Sequence, residues 1–204
     1  ELMHHVNQAL DKKKMIGIVF VDVKKAYDAI NHDVLIEKLE ASGVRGHALN
    51  LIKSYLSNRQ QAIRIGNSLS EWSSINKGIG QGTNLGPLLF NLMMNDFKLL
   101  PLQCKVIRYA DDIAFFYTFS PEDYDKFENI VRQDMKNIDR FHQINGMAIN
   151  PSKSKFMVVH QKSQAHLIRR ANIKINNSTE IEQVNKFKFL GVIIDENAIM
   201  DEHI

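Results

Sequence analysis

One cysteine, Cys104, stands in 204 residues. A single thiol excludes an internal disulfide and a cysteine-based zinc site, and it fits a reducing compartment. Only four prolines occur, and there is neither an internal repeat nor a low-complexity linker. No uncharged apolar run approaches the length of a bilayer span, and the opening residues carry no signal-peptide pattern. Acids are missing from two stretches. From Ala41 to Ser70 there are four basic residues and no acid, and from Met147 to Thr179 there are six and no acid. The net charge is only +3, so the acids gather elsewhere, notably between Asp111 and Asp139. Basic faces around an acidic centre suit a polyanion.

What is present is ordinary for a globular chain: 44% hydrophobic and 24% charged residues. The length allows one large domain or one and a half small ones. The organising stretch is Arg108 to Phe116, where Asp111-Asp112 lies between apolar, β-branched and aromatic flanks. Both flanks read as strands, and both acids fall in the tight turn of a hairpin. A second strand, Met15 to Asp22, ends in another acid. A strand-end acid and an acidic hairpin tip can share one sheet edge, where they repel unless a hard divalent cation with oxygen ligands joins them.

Other segments follow from periodicity and punctuation. Glu1 to Leu10 reads as helix, and Asn31 as the N-cap of a helix stopped at Gly43. Gly46 to Leu56 reads as a second helix. Gln61 to Ile65 and Glu71 to Ile75 form a ribbon turning at Asn67-Ser68. Four glycines between Gly78 and Gly86 mark a loop with special backbone needs. A mostly buried helix, Leu88 to Leu100, follows it, with Pro87 in its first turn. The loop lacks the Lys-Ser/Thr ending of a P-loop and is not a dinucleotide fingerprint. Pro121 to Ile144 carries a long apolar stripe. Phe156 to Val159, Ile173 to Ile175 and Phe187 to Ile194 read as short strands, and 195–204 carries no stop signal. The expectation is α+β: helices packed behind an antiparallel sheet.

Five stretches, in order, resemble the reverse transcriptases, most closely those of non-LTR (LINE-type) retrotransposons. Phe20-Val21-Asp22-Val23-Lys24-Lys25-Ala26-Tyr27-Asp28 is similar to their first palm motif, and Gly80 to Pro87 to their Gln-Gly-Ser-x-Leu-x-Pro motif. Tyr109-Ala110-Asp111-Asp112 is similar to the Tyr-x-Asp-Asp box. Ile149 to Ser154 resembles the Leu-Asn-x-x-Lys-Thr segment, and Phe189-Leu190-Gly191 the primer grip. Gly80 stands where many relatives have Pro.

The resemblance implies a polymerase palm with partial fingers, with residues 1–22 and 40–78 as fingers and palm elements, 79–194 as palm, and no thumb. It implies RNA-directed DNA polymerase activity, a nucleotidyl transfer to a primer 3′-hydroxyl using two magnesium ions, with manganese as a substitute. Asp22, Asp111 and Asp112 are the implied catalytic residues. The metal ligands would be those three and the Val23 carbonyl. Tyr27, Gln81, Gly82 and Lys153 would contact the nucleotide, with Lys155 competing for the role of Lys153, and Phe189, Leu190 and Gly191 would grip the primer. The partners implied are an RNA template, a DNA primer and deoxynucleoside triphosphates, without a membrane, inside the cell in nucleus or cytoplasm. Two alternatives stand beside this: a catalytically incompetent nucleic-acid-binding remnant, and the palm of a viral RNA-dependent RNA polymerase. Tyr27 speaks against the latter, because an aromatic under the sugar opposes a 2′-hydroxyl.

Overall fold

The seven residues Met15–Val21 form a strand buried along its whole length, the consequence of an unbroken apolar run covered on both faces. The computed structural model describes residues 2–175 and 179–198, so part of the 195–204 segment lies outside it. The elements are α1 (Leu2–Asp11), β1 (Met15–Val21), α2 (Ala26–Ala29), α3 (His32–Ala41), α4 (Gly46–Leu56), β2 (Arg59–Gln61), β3 (Arg64–Ile65), β4 (Ser68–Leu69), β5 (Ser73–Ile75), α5 (Gly86–Met93), β6 (Lys105–Tyr109), β7 (Asp112–Phe119), α6 (Tyr124–Ile144), β8 (Lys155–Val159), β9 (Lys174–Ile175), β10 (Thr179–Glu180), β11 (Glu182–Gln183), β12 (Lys186–Phe189) and β13 (Val192–Asp195). The fold is α+β. Among the described residues no helix is long and apolar enough to cross a membrane. The chain divides into two compact units, Glu1–Lys24 with Leu100–Gln143 and Ala148–Ile204, and Lys25–Leu99 with Ile144–Met147.

The first unit is built on a sheet of order β11-β8-β1-β7-β6. Strand β1 runs antiparallel to both β7 and β8. The expectation of a wholly antiparallel sheet needs one correction, since β11 pairs with β8 in parallel. More than twenty residues separate β8 from β11, enough for the crossover that a parallel pair requires. Side chains alternate across β1. Ile16, Ile18 and Phe20 join Val6 and Ala9 of α1 and Phe189 and Ile194 of the β12–β13 hairpin. On the other face lies α6, whose Phe127 ring stacks on Phe119 at 3.9 Å. Gly17 makes this close approach feasible, because a Cβ there would sit 2.3 Å from the Phe127 ring. Helix α6 begins at Tyr124, after a short 3-10 turn at Pro121–Asp123.

In the second unit, Asn31 caps α3 as its side chain predicts. Its Oδ1 accepts the backbone N–H of Asp33 at 2.8 Å and of Val34 at 3.3 Å. Helix α4 has the expected bounds. The ribbon differs from expectation. It is two short ladders, β2 with β5 and β3 with β4, turning at Gly66-Asn67 rather than Asn67-Ser68. Ser70 interrupts it, its Oγ accepting the Ile63 N–H at 2.9 Å. The expected helix Leu88 to Leu100 is also shorter: α5 stops at Met93 and a 3-10 segment, Asn95–Leu99, follows. Lys38 holds that end, donating to the Met93 carbonyl at 2.7 Å and pairing with Asp96 at 2.7 Å.

Candidate active site

Strand pairing delivers three carboxylates to one end of the sheet. Val21, the last residue of β1, pairs with Ile113, so continuing the register sets Asp22 level with Asp112. Strands β6 and β7 close through Tyr109↔Asp112. The turn is therefore only Ala110-Asp111, with Ala110 at φ 52. This corrects the sequence reading that put both acids in the turn: Asp111 is at the tip and Asp112 opens β7. Burial raises the Asp112 carboxyl above its ordinary range, and the charges of Asp111 and then Asp22 push it further the same way. The three acids thus share one electrostatic neighbourhood, as like charges crowded together must.

Asp22 is held from its backbone. Its carbonyl accepts the Asn150 N–H at 2.8 Å, and its own N–H donates to Ser154 Oγ at 3.1 Å. Ser154, fully buried, donates in turn to the Asn150 carbonyl at 2.8 Å. Val23 bridges to Ile149, and Lys24 N–H reaches the Ala148 carbonyl at 2.8 Å. That pairing uses Asp22 O and Lys24 N–H and leaves the Val23 carbonyl outside it. The two lysines of this segment differ. Lys155 Nζ is tied to Glu182 and to the Ser152 carbonyl, each at 2.7 Å. Lys153 is exposed and forms no ion pair among the described residues.

The Phe189-Leu190-Gly191 stretch turns the β12–β13 hairpin. Phe189 pairs with Val192, leaving Leu190 (φ 49) and Gly191 (φ 83) as the tip. Leu190 is 45% exposed while Phe189 is buried. The Phe187 and Phe189 rings lie 4.3 Å and 5.3 Å from Phe20, two residues before Asp22. The hairpin is anchored on the strand that carries the first carboxylate.

Residues 1–194 match the family model described as reverse transcriptase (RNA-dependent DNA polymerase). The chain belongs to the reverse transcriptase family. Over 210 residues it is 25% identical to the probable RNA-directed DNA polymerase from transposon BS of Drosophila melanogaster, covering 100% of this chain and 22% of that protein. It is 26% identical over 164 residues to the Pol polyprotein of the type-1 retrotransposable element R2 of Popillia japonica, covering 74% of this chain and 22% of the relative. The chain therefore spans about a fifth of the length of these non-LTR retrotransposon relatives. The structure of telomerase from Candida tropicalis, in complex with the TWJ fragment of telomeric RNA, superposes with a TM-score of 0.61 at 14% identity, covering 99% of this chain and 32% of that one. That likeness is one of fold.

Three residues expected at the nucleotide lie in the second unit of this reverse transcriptase chain. Tyr27 stacks on Phe90, ring centroids 4.8 Å apart and 13° from parallel. Gln81 donates to Asp28 Oδ1 at 3.1 Å, and Gly82 is exposed at φ 73. The glycine-rich loop is tied down. Thr83 Oγ1 donates to the Gly80 carbonyl at 2.8 Å and accepts the Gly86 N–H at 3.1 Å. A Cβ at Gly86 would meet that carbonyl at 2.6 Å. Ile79 N–H reaches the Tyr27 carbonyl at 2.9 Å, binding the loop to the segment carrying the aromatic. Phe90 as the floor beneath Tyr27 and Ser154 as the clamp on Asp22 were missed from sequence. Only the repeated hydroxyls of Ser152 and Ser154 hinted at the second.

Among the described residues no group of three or more His, Cys, Asp and Glu side chains is placed to hold a metal ion. A magnesium ion keeps waters and substrate phosphates in its shell and takes only one or two carboxylates from a protein. The crowded acids supply the hard oxygen donors such an ion prefers.

Proposed function

We propose that this chain carries the nucleotidyl-transfer centre of an RNA-directed DNA polymerase of a non-LTR retrotransposon. The observation that carries the reading is the placement of Asp22, Asp111 and Asp112 by strand register at one end of the central sheet. Asp22 and Asp111 would hold two divalent cations, magnesium or manganese, with the Val23 carbonyl as a further oxygen and Asp112 in support. When bound, such ions neutralise charge on the attacking and leaving oxygens of the transfer. In the reaction the primer 3′-oxygen forms a bond to the α-phosphorus of a deoxynucleoside triphosphate, and the bond to pyrophosphate breaks.

The remaining residues would position the reactants, which supplies much of the barrier reduction. Tyr27 would lie under the incoming sugar, its ring braced by Phe90, and would exclude a 2′-hydroxyl. Gln81 and Gly82 would lie against the nucleotide and template base. Lys153 would meet the pyrophosphate, because Lys155 is already engaged by Glu182. Phe189, Leu190 and Gly191 would hold the primer end, and an RNA strand would serve as template. The division into fingers and palm elements inferred from the motifs stays part of this proposal. The transposon polymerases among the relatives support this reading over a viral RNA polymerase.

The test is primer extension on an RNA template with magnesium, beside Asp111→Asn. Extension by the parent that the substitution reduces to background, with folding and RNA binding kept, supports the assignment. Full extension by the variant would overturn it.

A further inference from the structure

Most of α6 looks almost electrically balanced in sequence. Between Asn129 and Ile144 it holds three basic residues, Arg132, Lys136 and Arg140, and two acids, Asp134 and Asp139. The fold sorts them. Asp134 is 0% and Asp139 8% exposed, turned inward among the stripe of Val131, Met135 and Ile138. The basic three face outward at i, i+4 and i+8. With a rise of about 1.5 Å per residue, successive charges stand about 6 Å apart along the helix, comparable to the spacing of neighbouring phosphates on one strand.

Beside this stripe is a concavity of about 300 Å³ lined by Arg132, Lys136, Asn172 and Lys174. Its wall is built rather than loose. Arg132 Nε donates to the Asn172 carbonyl at 3.0 Å, and its other nitrogens reach Asn129 at 3.3 Å and Glu128 at 2.6 Å. Glu128 also accepts the Asn172 N–H at 2.7 Å. Glu128 therefore neutralises Arg132, and Glu180, across from Lys174 in the ladder, pairs with Arg170 at 3.2 Å. Lys136, Arg140 and Lys174 form no ion pair among the described residues. Both lysines are exposed. The Asn172 side-chain amide, at the same wall, makes no hydrogen bond among the described residues.

We propose that this pocket and the basic stripe of α6 bind the sugar–phosphate backbone of a single RNA strand, at a site separate from the three carboxylates. Lys136 and Lys174 take a phosphate in the pocket, and Arg140 takes the next along the strand. The free amide of Asn172 offers both a donor and an acceptor to a ribose 2′-hydroxyl, the group that distinguishes RNA from DNA. That amide is what favours an RNA strand over DNA or an acidic polypeptide.

The experiment measures binding of a labelled single-stranded RNA, of DNA of the same sequence and of polyglutamate, across a salt series. The proteins are the parent, Lys136→Gln/Lys174→Gln, Asn172→Ala and Asp111→Asn. Each phosphate no longer neutralised lowers the slope of log affinity on log salt by about 0.7, so the double variant, which frees the one phosphate held in the pocket, should lose roughly 0.7. Asn172→Ala should narrow the preference for RNA over DNA. Asp111→Asn keeps its RNA binding on either account and serves as a folded control, while the double variant should lose RNA affinity yet keep primer extension at saturating template, which separates this site from the carboxylate centre. Thermal melting verifies that the glutamine variants are folded, as expected for exposed positions. A folded double variant with unchanged RNA affinity and salt slope would overturn the proposal. So would an effect confined to polyglutamate, which would assign the patch to an acidic protein.

Discussion

The backbone N–H of Asp22 and the hydroxyl of Ser154 share a hydrogen bond of 3.1 Å across 132 residues of sequence. Through it a buried serine on the loop before β8 fixes the end of β1, where the first carboxylate leaves the sheet. Ser154→Ala leaves the Asp22 donor without that acceptor inside the fold, at a cost of about 1–3 kcal/mol. Urea denaturation should show that loss. On the proposed reading, extension should fall mainly in kcat, since Ser154 would position Asp22 and lies outside the proposed nucleotide contacts. An unchanged kcat in a folded variant would remove Ser154 from the site.

Gly17 and Phe127 make a second pair whose geometry sets an outcome. A Cβ 2.3 Å from the ring cannot be accommodated without displacing α6 or β1. Gly17→Ala should destabilise the protein by about 1–3 kcal/mol, the usual cost of overpacking a filled core. Combining it with Phe127→Leu should cost less than the sum of the two, as expected for residues in contact. Calorimetric melting of the double-mutant cycle is the measurement.

Tyr27 and Phe90 are stacked, so both should control sugar choice. Tyr27→Ala should raise ribonucleotide use relative to deoxyribonucleotide use. Phe90→Leu should do so to a smaller degree, because the ring above it loses its floor. Single-nucleotide incorporation with both sugars measures the ratio. No change with Tyr27→Ala would make Tyr27 a packing residue only.

Asp134 predicts a pH effect. Its side chain is buried beside Cys104 and Tyr117, and burial raises its carboxyl above the ordinary range despite the Gln103 N–H that it accepts at 2.9 Å. The folded state then binds a proton that the unfolded state has released. Its stability contribution is fully present below the ordinary aspartate pKa, near 4, and is lost as pH rises toward the raised value. Asp134→Asn should flatten that part of the curve, its amide oxygen still accepting from Gln103. Melting from pH 4 to 7 for both proteins tests the sign.

The same cluster quiets the only cysteine. Burial, the largest cause, pushes the Cys104 thiol up to about 12. At pH 8 the native protein should react slowly with iodoacetamide, since the thiolate is the nucleophile. Unfolding in urea should speed labelling by at least tenfold. Equal rates would show an accessible thiol.

Much of this protein was legible along the chain. The apolar run of β1, the Asn31 cap, the stripe of α6 and the hairpin strands around Asp111 rest on periodicity and on side chains that act within a few residues of themselves. The order of the motifs identified the family for the same reason, because each motif is local. Tertiary structure decided the rest. Register, not residue type, moved Asp112 from the turn to the first place in β7. A long crossover allowed β11 to run parallel to β8, which no local pattern announces. The Ser154 clamp on Asp22, the Phe90 floor under Tyr27 and the seating of Phe189 on Phe20 join residues far apart in sequence, so only packing reveals them. The charge of α6 shows the division most plainly. Composition set its sum, but the burial of Asp134 and Asp139 decided that its outer face is basic.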